Sequence, residues 1–211
     1  PIEVTAIADT GYIFSGWAQF PDSSESMSVQ ITNGFALTAL FEPYAQGDTI
    51  DIVINEINYN SSDEFDTKDW IELYNNGQES VNVAGWVFTD ENEDHRFTIP
   101  DTTIIDSESY IILAQDVDAF LNFFEGTENV FGPFEFGLSG GGESIRLLDI
   151  SGRLVDQVEY DDSQPWPTEP DGNGPTLELI SPELPNDIAG SWSFSLGNGT
   201  PGYVNSVTES L

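Results

Sequence analysis

An acidic stretch between two apolar segments has a residue spacing that resembles a metal site. Asp90, Asn92 and Asp94 place oxygen-bearing side chains at alternate positions, as the first half of a calcium-binding loop does, and Asp101 falls where the last ligand would stand. A calcium loop needs a sharply turning glycine where this chain has His95, and the stretch should lie in a hairpin between strands. The spacing predicts a Ca²⁺ site that serves stability, with a solvated acidic hairpin as the alternative.

A second acidic group lies in the loop predicted between two earlier strands. Asp63 and Asp66 precede Asp69 there. Carboxylate oxygens are ligands that Ca²⁺ prefers, and a bound cation would relieve part of their mutual repulsion. Asp63 and Asp66 are therefore the second candidate site, again with a solvated loop as the alternative.

Catalytic chemistry finds little support in the residue types. The chain has 38 acidic residues among 211, so close pairs such as Asp161 and Asp162 arise from composition alone. His95 is the single histidine, cysteine is absent, and no Gly-x-Ser-x-Gly motif occurs. The glycines 140–142 lack the Lys-Ser/Thr of a phosphate loop and precede a strand, so a turn with positive φ is expected there. We predict no catalytic residues and no enzyme.

Tryptophan offers a candidate for ligand binding. Trp166 stands between Pro165 and Pro167, and an exposed ring held in this way could stack on a partner. We favour the alternative, in which the ring pins its own loop over the core. The other four tryptophans occur in alternating apolar segments and are expected in the core: Trp17, Trp70, Trp86 and Trp192.

The charge of the chain limits its partners. The formal net charge is −34, with only 4 basic residues. Such a chain repels the phosphate backbone of nucleic acids and the anionic face of a membrane, so neither is expected to bind directly. The same charge suits a cation-rich medium. No apolar run approaches the roughly 18 residues of a membrane span, so no membrane insertion is expected. Because the chain begins at Pro1 without an initiator methionine, we expect further domains of the same polypeptide.

The elements that position these residues are predicted to be short strands. Apolar residues alternate at Ile52 and Ile54, at Ile71 and Leu73, and from Val81 to Phe88 with a break at Gly85. The Asn-Gly pair in Asn75-Asn76-Gly77-Gln78 predicts a tight hairpin between the second and third of these strands. Further predicted elements are a strand at 110–114, a helix at 117–124 capped by Asp116, and strands at 143–148, 153–160, 176–180 and 191–194. Short strands separated by glycine-rich turns favour a mostly β sandwich.

Several of these segments resemble a known family. INEI, DWIEL and VNVAGW, followed downstream by RFTIP, SYIILAQD, PWP, DGNGPTLEL and NGTPGYVN, resemble the lamin tail domain in its bacterial, secreted form. The resemblance covers about residues 50–206, and we assign the domain to 51–206. It implies an immunoglobulin-like β-sandwich and brings no catalytic residues to carry over.

The residues before and after this domain have other patterns. Residues 1–43 resemble the second half of a divergent internalin-type B repeat, a small β-rich module of bacterial surface proteins, through GYIFSGW and the closing TALF. Residues 44–50 have the composition of a linker, and 207–211 are predicted to begin another.

These features together predict a non-catalytic accessory module of a secreted or cell-surface bacterial protein. Its expected role is adhesion or recognition, with a protein or glycan at a cell surface as partner. The alternative is a targeting or substrate-positioning domain of a multidomain extracellular hydrolase of the nuclease or phosphatase type. The sequence of the parent protein would separate the two.

Overall fold

The computed structural model describes residues 2–6, 12–20, 26–30, 36–43 and 51–208. The chain divides into two compact units, Pro1–Thr49 and Ile50–Leu211. The predicted linker at 44–50 lies outside the described residues, as do residues 209–211 of the second predicted linker. In the part of the chain that is described, no helix is both long and apolar enough to span a membrane.

The first unit contains two antiparallel strand pairs. Its strands are β1 Ile2–Thr5, β2 Tyr12–Trp17, β3 Ser26–Val29 and β4 Ala39–Pro43. β1 pairs with β3, and β2 pairs with β4. Trp17 is buried, as predicted, and its ring lies 5.5 Å from that of Phe14. Gly11 of the repeat-like motif lies outside the described residues, and the resemblance to a B repeat stays a prediction.

The second unit consists of twelve described strands and one short α-helix. They are β5 Ile52–Asn58, β6 Trp70–Asn75, β7 Val81–Asn82, β8 Val87–Thr89, β9 Arg96–Thr98, β10 Ile104–Ile105, β11 Tyr110–Ala114, α1 Val117–Phe123, β12 Val130–Phe131, β13 Glu143–Leu148, β14 Leu154–Tyr160, β15 Leu177–Leu179 and β16 Trp192–Phe194. A 3₁₀ turn at Ala189–Ser191 precedes β16.

Two sheets of this unit form the sandwich. One has six strands in the order β12-β11-β6-β5-β15-β16, and the other has four in the order β14-β13-β8-β9. Their facing side chains form one core that includes Ile54, Leu73, Phe88, Ile145 and Leu177. This arrangement confirms the predicted mostly β, immunoglobulin-like sandwich.

The outer face of the six-stranded sheet is also covered. Because side chains alternate along a strand, Ile71 and Leu73 face the core while Trp70 and Glu72 face the other side. α1 covers one part of this outer face, where Phe120 packs edge-to-face on Trp70 at 5.4 Å. A second cluster of buried apolar residues forms there. The polar positions farther along the same face are covered by another segment of the chain.

The predicted hairpin at Asn75–Gln78 is wrong. β6 pairs with β5 and β11, whereas the residues predicted to return beside it, β7, pair with β10. Gly77 also lies outside the left-handed region, since its φ is not positive. The Asn-Gly pair marks a turn correctly, but the strand after the turn leaves the sheet.

The third predicted strand is interrupted and not continuous. Gly85 has a φ of +77°, and this bend separates β7 from β8. β8 then joins the four-stranded sheet between β9 and β13. A residue with a side chain is strained at this φ. The glycine therefore permits the chain to pass from the β7–β10 pair to the four-stranded sheet.

Candidate functional site

A cleft of about 440 Å³ opens where the end of β14 meets the loop after it. β13 and the glycines before it form one wall, and the loop that carries Trp166 forms another. Five carboxylates line the cleft, and no basic residue does: Glu91, Glu143, Glu159, Asp161 and Asp187. They come from distant parts of the chain, so the cleft is a product of the fold. Its chemistry favours ligands that donate hydrogen bonds or carry positive charge.

The floor of the cleft is held by a tyrosine and a glutamate. The Tyr160 hydroxyl donates to the Ser139 carbonyl oxygen at 2.9 Å and to Glu143 Oε1 at 3.0 Å. Glu143 also accepts the Ser139 N–H at 2.6 Å, and burial raises the pKa of its carboxyl above the ordinary value. Tyr160 is itself stacked on Tyr59 with ring centroids 4.7 Å apart. These bonds fix the Glu143 carboxyl in place at the edge of the cleft.

Glycine is required beside this floor. Gly142 has a φ of +93°, and a Cβ there would lie 2.6 Å from the Tyr160 carbonyl oxygen. This confirms that the glycine run forms a turn with positive φ.

Trp166 forms part of the cleft wall but exposes little of its surface. It is 8% exposed, and its ring lies 6.2 Å from that of the buried Trp192. Its backbone N–H donates to the Ser163 carbonyl oxygen at 3.0 Å, which closes the turn before it. The ring therefore packs on the core, in the manner of a pin. Ligand binding by Trp166 stays a prediction.

The loop between β8 and β9 holds the first predicted calcium residues. Asp90 is buried. Its Oδ1 accepts a hydrogen bond from the Asn92 N–H at 2.7 Å, and its Oδ2 lies 2.6 Å from His95 Nδ1. Asn92 Oδ1 accepts the Asp94 N–H at 3.1 Å, while Arg146 binds the Asp90 carbonyl oxygen. The stretch lies in a hairpin between strands, as predicted. The side-chain oxygens of Asp90 and Asn92 thus accept hydrogen bonds from N–H groups of the same loop. Calcium binding by Asp90, Asn92 and Asp94 stays a prediction.

His95 is more than a solvated loop residue. Its ring stacks on Phe136 with centroids 5.1 Å apart and planes 8° apart, and it bonds to the buried Asp90. Sequence reasoning had no signal for this, because Phe136 is remote along the chain.

The second predicted calcium pair lies in the loop between β5 and β6. Asp66 binds Lys68 Nζ at 2.5 Å, and this hydrogen bond lowers the pKa of the Asp66 carboxyl. Asp63 is exposed. Within the described residues, no three carboxylate, histidine or cysteine side chains are grouped so that they could hold a metal ion.

A row of three buried glutamates went unnoticed in the sequence. Glu56, Glu72 and Glu178 lie on the adjacent strands β5, β6 and β15, with Glu56 directly opposite both of the others. All three are 0% exposed. We call them the glutamate row. The signal that could have found them is a glutamate set between core residues in each of three strands, INEI, WIEL and LEL.

Burial raises the pKa of two members of this row, Glu56 and Glu72. Burial, then repulsion from Glu72 and Glu178, raises the pKa of Glu56 well above its ordinary value. Burial raises the pKa of Glu72 to about 8, against the hydrogen bonds from Gly202 and Asn55. None of the three pairs with a basic side chain in the described part of the chain. The row therefore lacks a counter-charge.

Comparison with known proteins gives a family and a solved structure. The family model described as Lamin Tail Domain matches residues 45–162. A crystal structure of a DUF4876 family protein from Bacteroides thetaiotaomicron is similar with 10% sequence identity and a TM-score of 0.42, over 77% of this chain and 71% of that chain. Comparison with curated proteins gives no match.

Proposed function

The chain belongs to the lamin tail domain family, and from this premise we propose that it is a non-catalytic recognition module of a secreted or cell-surface bacterial protein. The module adheres to a partner on behalf of other domains of the same polypeptide. Its partner is a protein at a cell surface that presents a basic segment.

The acidic cleft is the observation that carries this proposal. Five carboxylates and no basic residue line it, so an ammonium or guanidinium group that enters it gains several charge-assisted hydrogen bonds. The net charge of −34 adds an attraction that speeds the approach of cationic partners. A neutral glycan offers only uncharged donors to the same carboxylates, which makes a basic protein segment the better match.

Binding can be tested with hexa-arginine, hexalysine and a panel of neutral oligosaccharides by calorimetry. The cleft variant Glu91→Gln, Glu159→Gln, Asp187→Asn removes three exposed carboxylates. The matched control Asp118→Asn, Glu125→Gln, Glu128→Gln removes three exposed carboxylates at and after α1. We expect the cleft variant to lose about tenfold or more in affinity for the cationic peptides and the control to lose little. Equal losses would mean that only net charge matters, and preference for an oligosaccharide would reassign the ligand.

The same preparations address catalysis and calcium. We expect no turnover of phosphoester, peptide or glycoside substrates. Activity that survives purification and falls on mutation of one carboxylate would overturn the proposal. Binding of the cationic peptides is measured in calcium chloride and in sodium chloride at matched ionic strength. The comparison is needed because the loop at Asp90, Asn92 and Asp94 remains the predicted structural Ca²⁺ site.

A further inference from the structure

The segment Gly199–Val207, which we call the C-terminal strap, covers the glutamate row. Five donors of the strap reach the three carboxylates. Thr200 N–H lies 3.1 Å from Glu56 Oε1, Gly202 N–H 2.5 Å from Glu72 Oε2, and Val207 N–H 3.2 Å from Glu178 Oε2. The hydroxyls of Thr200 and Ser206 add bonds of 2.7 Å each to Glu178. The row is thus the surface on which the strap is fastened.

The fit between strap and row is close. Gly199 has a φ of +104°, and a Cβ there would lie 2.6 Å from Glu56 Oε1. Farther along, the Asn205 amide donates to the carbonyl oxygens of Asn55 at 3.0 Å and Leu179 at 2.8 Å. No room remains for a side chain between the strap and Glu56 at Gly199, so the closed strap keeps water from the Glu56 carboxyl there.

The outer side of the strap, by contrast, is open. Tyr203 is 74% exposed and Val204 is 64% exposed. Gly197 and Gly199 both have positive φ where the strap begins, a conformation that glycine adopts without strain. The sandwich core lies on the opposite face of the sheet, so the strap can lift without opening that core.

The charges that face the row are all acidic or phenolic. Glu56, Glu72 and Glu178 face one another, and Tyr110 of β11 stands beside Glu72, with Tyr74 and Glu108 next to Tyr110. Three ionised carboxylates without a counter-charge are costly in a site closed to water. The closed strap is therefore compatible with Glu56 and Glu72 that keep their protons, and the lifted strap with the same two carboxyls ionised in water.

We propose that the C-terminal strap is a pH-dependent latch, closed over the glutamate row while Glu56 and Glu72 hold protons and lifted when these two carboxyls ionise. Carboxyls with a raised pKa in the closed state stabilise that state fully below their ordinary value of 4.5, and they lose this effect as pH rises through the raised value, about 8 for Glu72. The latch therefore loosens between these limits, by up to tenfold per pH unit for each proton released. This device does not depend on the cleft or its ligand.

Amide hydrogen exchange in the full chain tests the latch. Protection factors, corrected for the intrinsic pH dependence of exchange, are compared at pH 5 and pH 8. We expect the amides of Gly202 and Val207 to lose at least about tenfold more protection than the buried amides of Ile99 and Ile112, which report on the stability of the whole unit. Equal behaviour of strap and core amides would overturn the latch.

Two variants of the row and the strap extend this test. Glu72→Gln removes one titrating group, so the loss of protection at Gly202 between the two pH values should shrink. The control Glu128→Gln, at an exposed position, should retain it. A Glu72→Gln chain as pH-sensitive as the parent would contradict the proposal.

Should that chain fail to fold, Thr200→Val leaves the sheet unchanged and removes one strap bond to Glu178. Its strap should be less protected than the parent at both pH values, and unchanged protection would overturn the latch.

Discussion

At the scale of single residues, buried carboxylates connect parts of the sandwich. Outside the glutamate row, the half-buried Asp156 on β14 makes the clearest connection of this kind. Its Oδ2 accepts the Ile54 N–H of β5 at 2.7 Å and the Asn186 amide at 2.7 Å, and its Oδ1 accepts the Gln157 N–H at 2.9 Å. One side chain therefore joins the four-stranded sheet to the six-stranded sheet. Burial raises the pKa of this carboxyl to about 6.

We predict that Asp156→Asn lowers the free energy of unfolding by about 1–3 kcal/mol at pH 5, because an amide cannot accept all three hydrogen bonds. The raised pKa means that the parent loses stability as pH rises from the ordinary value of 3.8 through about 6. The asparagine variant does not titrate, so its deficit should narrow toward pH 8. Urea unfolding at the two pH values measures both effects. Asp101→Asn, at an exposed position, is the matched control, and a deficit that widens with pH would refute the account.

At the scale of elements, alternation and capping predicted most strands and the helix. β11 and β13 have the predicted bounds, and the helix differs from its prediction by one residue at its end. Asp116 caps that helix as expected, since its Oδ1 accepts the Ala119 N–H at 2.9 Å. These signals are local, so they need no knowledge of distant partners. The hairpin at Gly77 failed because a turn motif does not say which strand its successor will pair with.

The cap at Asp116 supports the element that covers Trp70. Replacing it with alanine leaves the Ala119 N–H without its partner, and we predict a loss of about 1 kcal/mol in stability. Asp116→Asn should restore most of this, because its side-chain oxygen can still accept. Asp118→Ala is the control, because Asp118 is equally exposed and lies in the first turn but does not cap the helix. Urea unfolding measures the free energy of unfolding of each variant. Equal values for Asp116→Ala and Asp118→Ala would show that the cap does not stabilise the helix.

At the scale of the whole molecule, the second unit contains both apolar clusters found among the described residues. Both apolar clusters of the second unit lie between Ile52 and Trp192, and the strap closes over the glutamate row within the same unit. The strap reaches Val207, one residue beyond the boundary predicted from sequence. A fragment that keeps the glutamate row covered must therefore include it.

We predict that a fragment of residues 51–208 folds by itself and that residues 1–43 alone are marginal, since about forty residues without a disulfide seldom bury enough surface. Dispersion of amide proton signals distinguishes the two. A 51–198 fragment, which lacks the strap, should melt at a lower temperature because the glutamate row is uncovered. Collapsed dispersion in the 51–208 fragment would mean that the two units share one core.

The sequence by itself determined the fold class and the inward face of each main strand. Those properties depend on alternation over a few neighbouring residues, which any reader of the chain can see. Only the tertiary structure decided which carboxylates meet. Glu178 stands opposite Glu56, and Glu72 on its other side, because β15, β5 and β6 pair, and β15 lies far along the chain from the other two. Glu91, Glu143 and Asp187 share the cleft for the same reason. In a chain with 38 acidic residues, composition cannot distinguish a carboxylate that faces water from one that holds the strap.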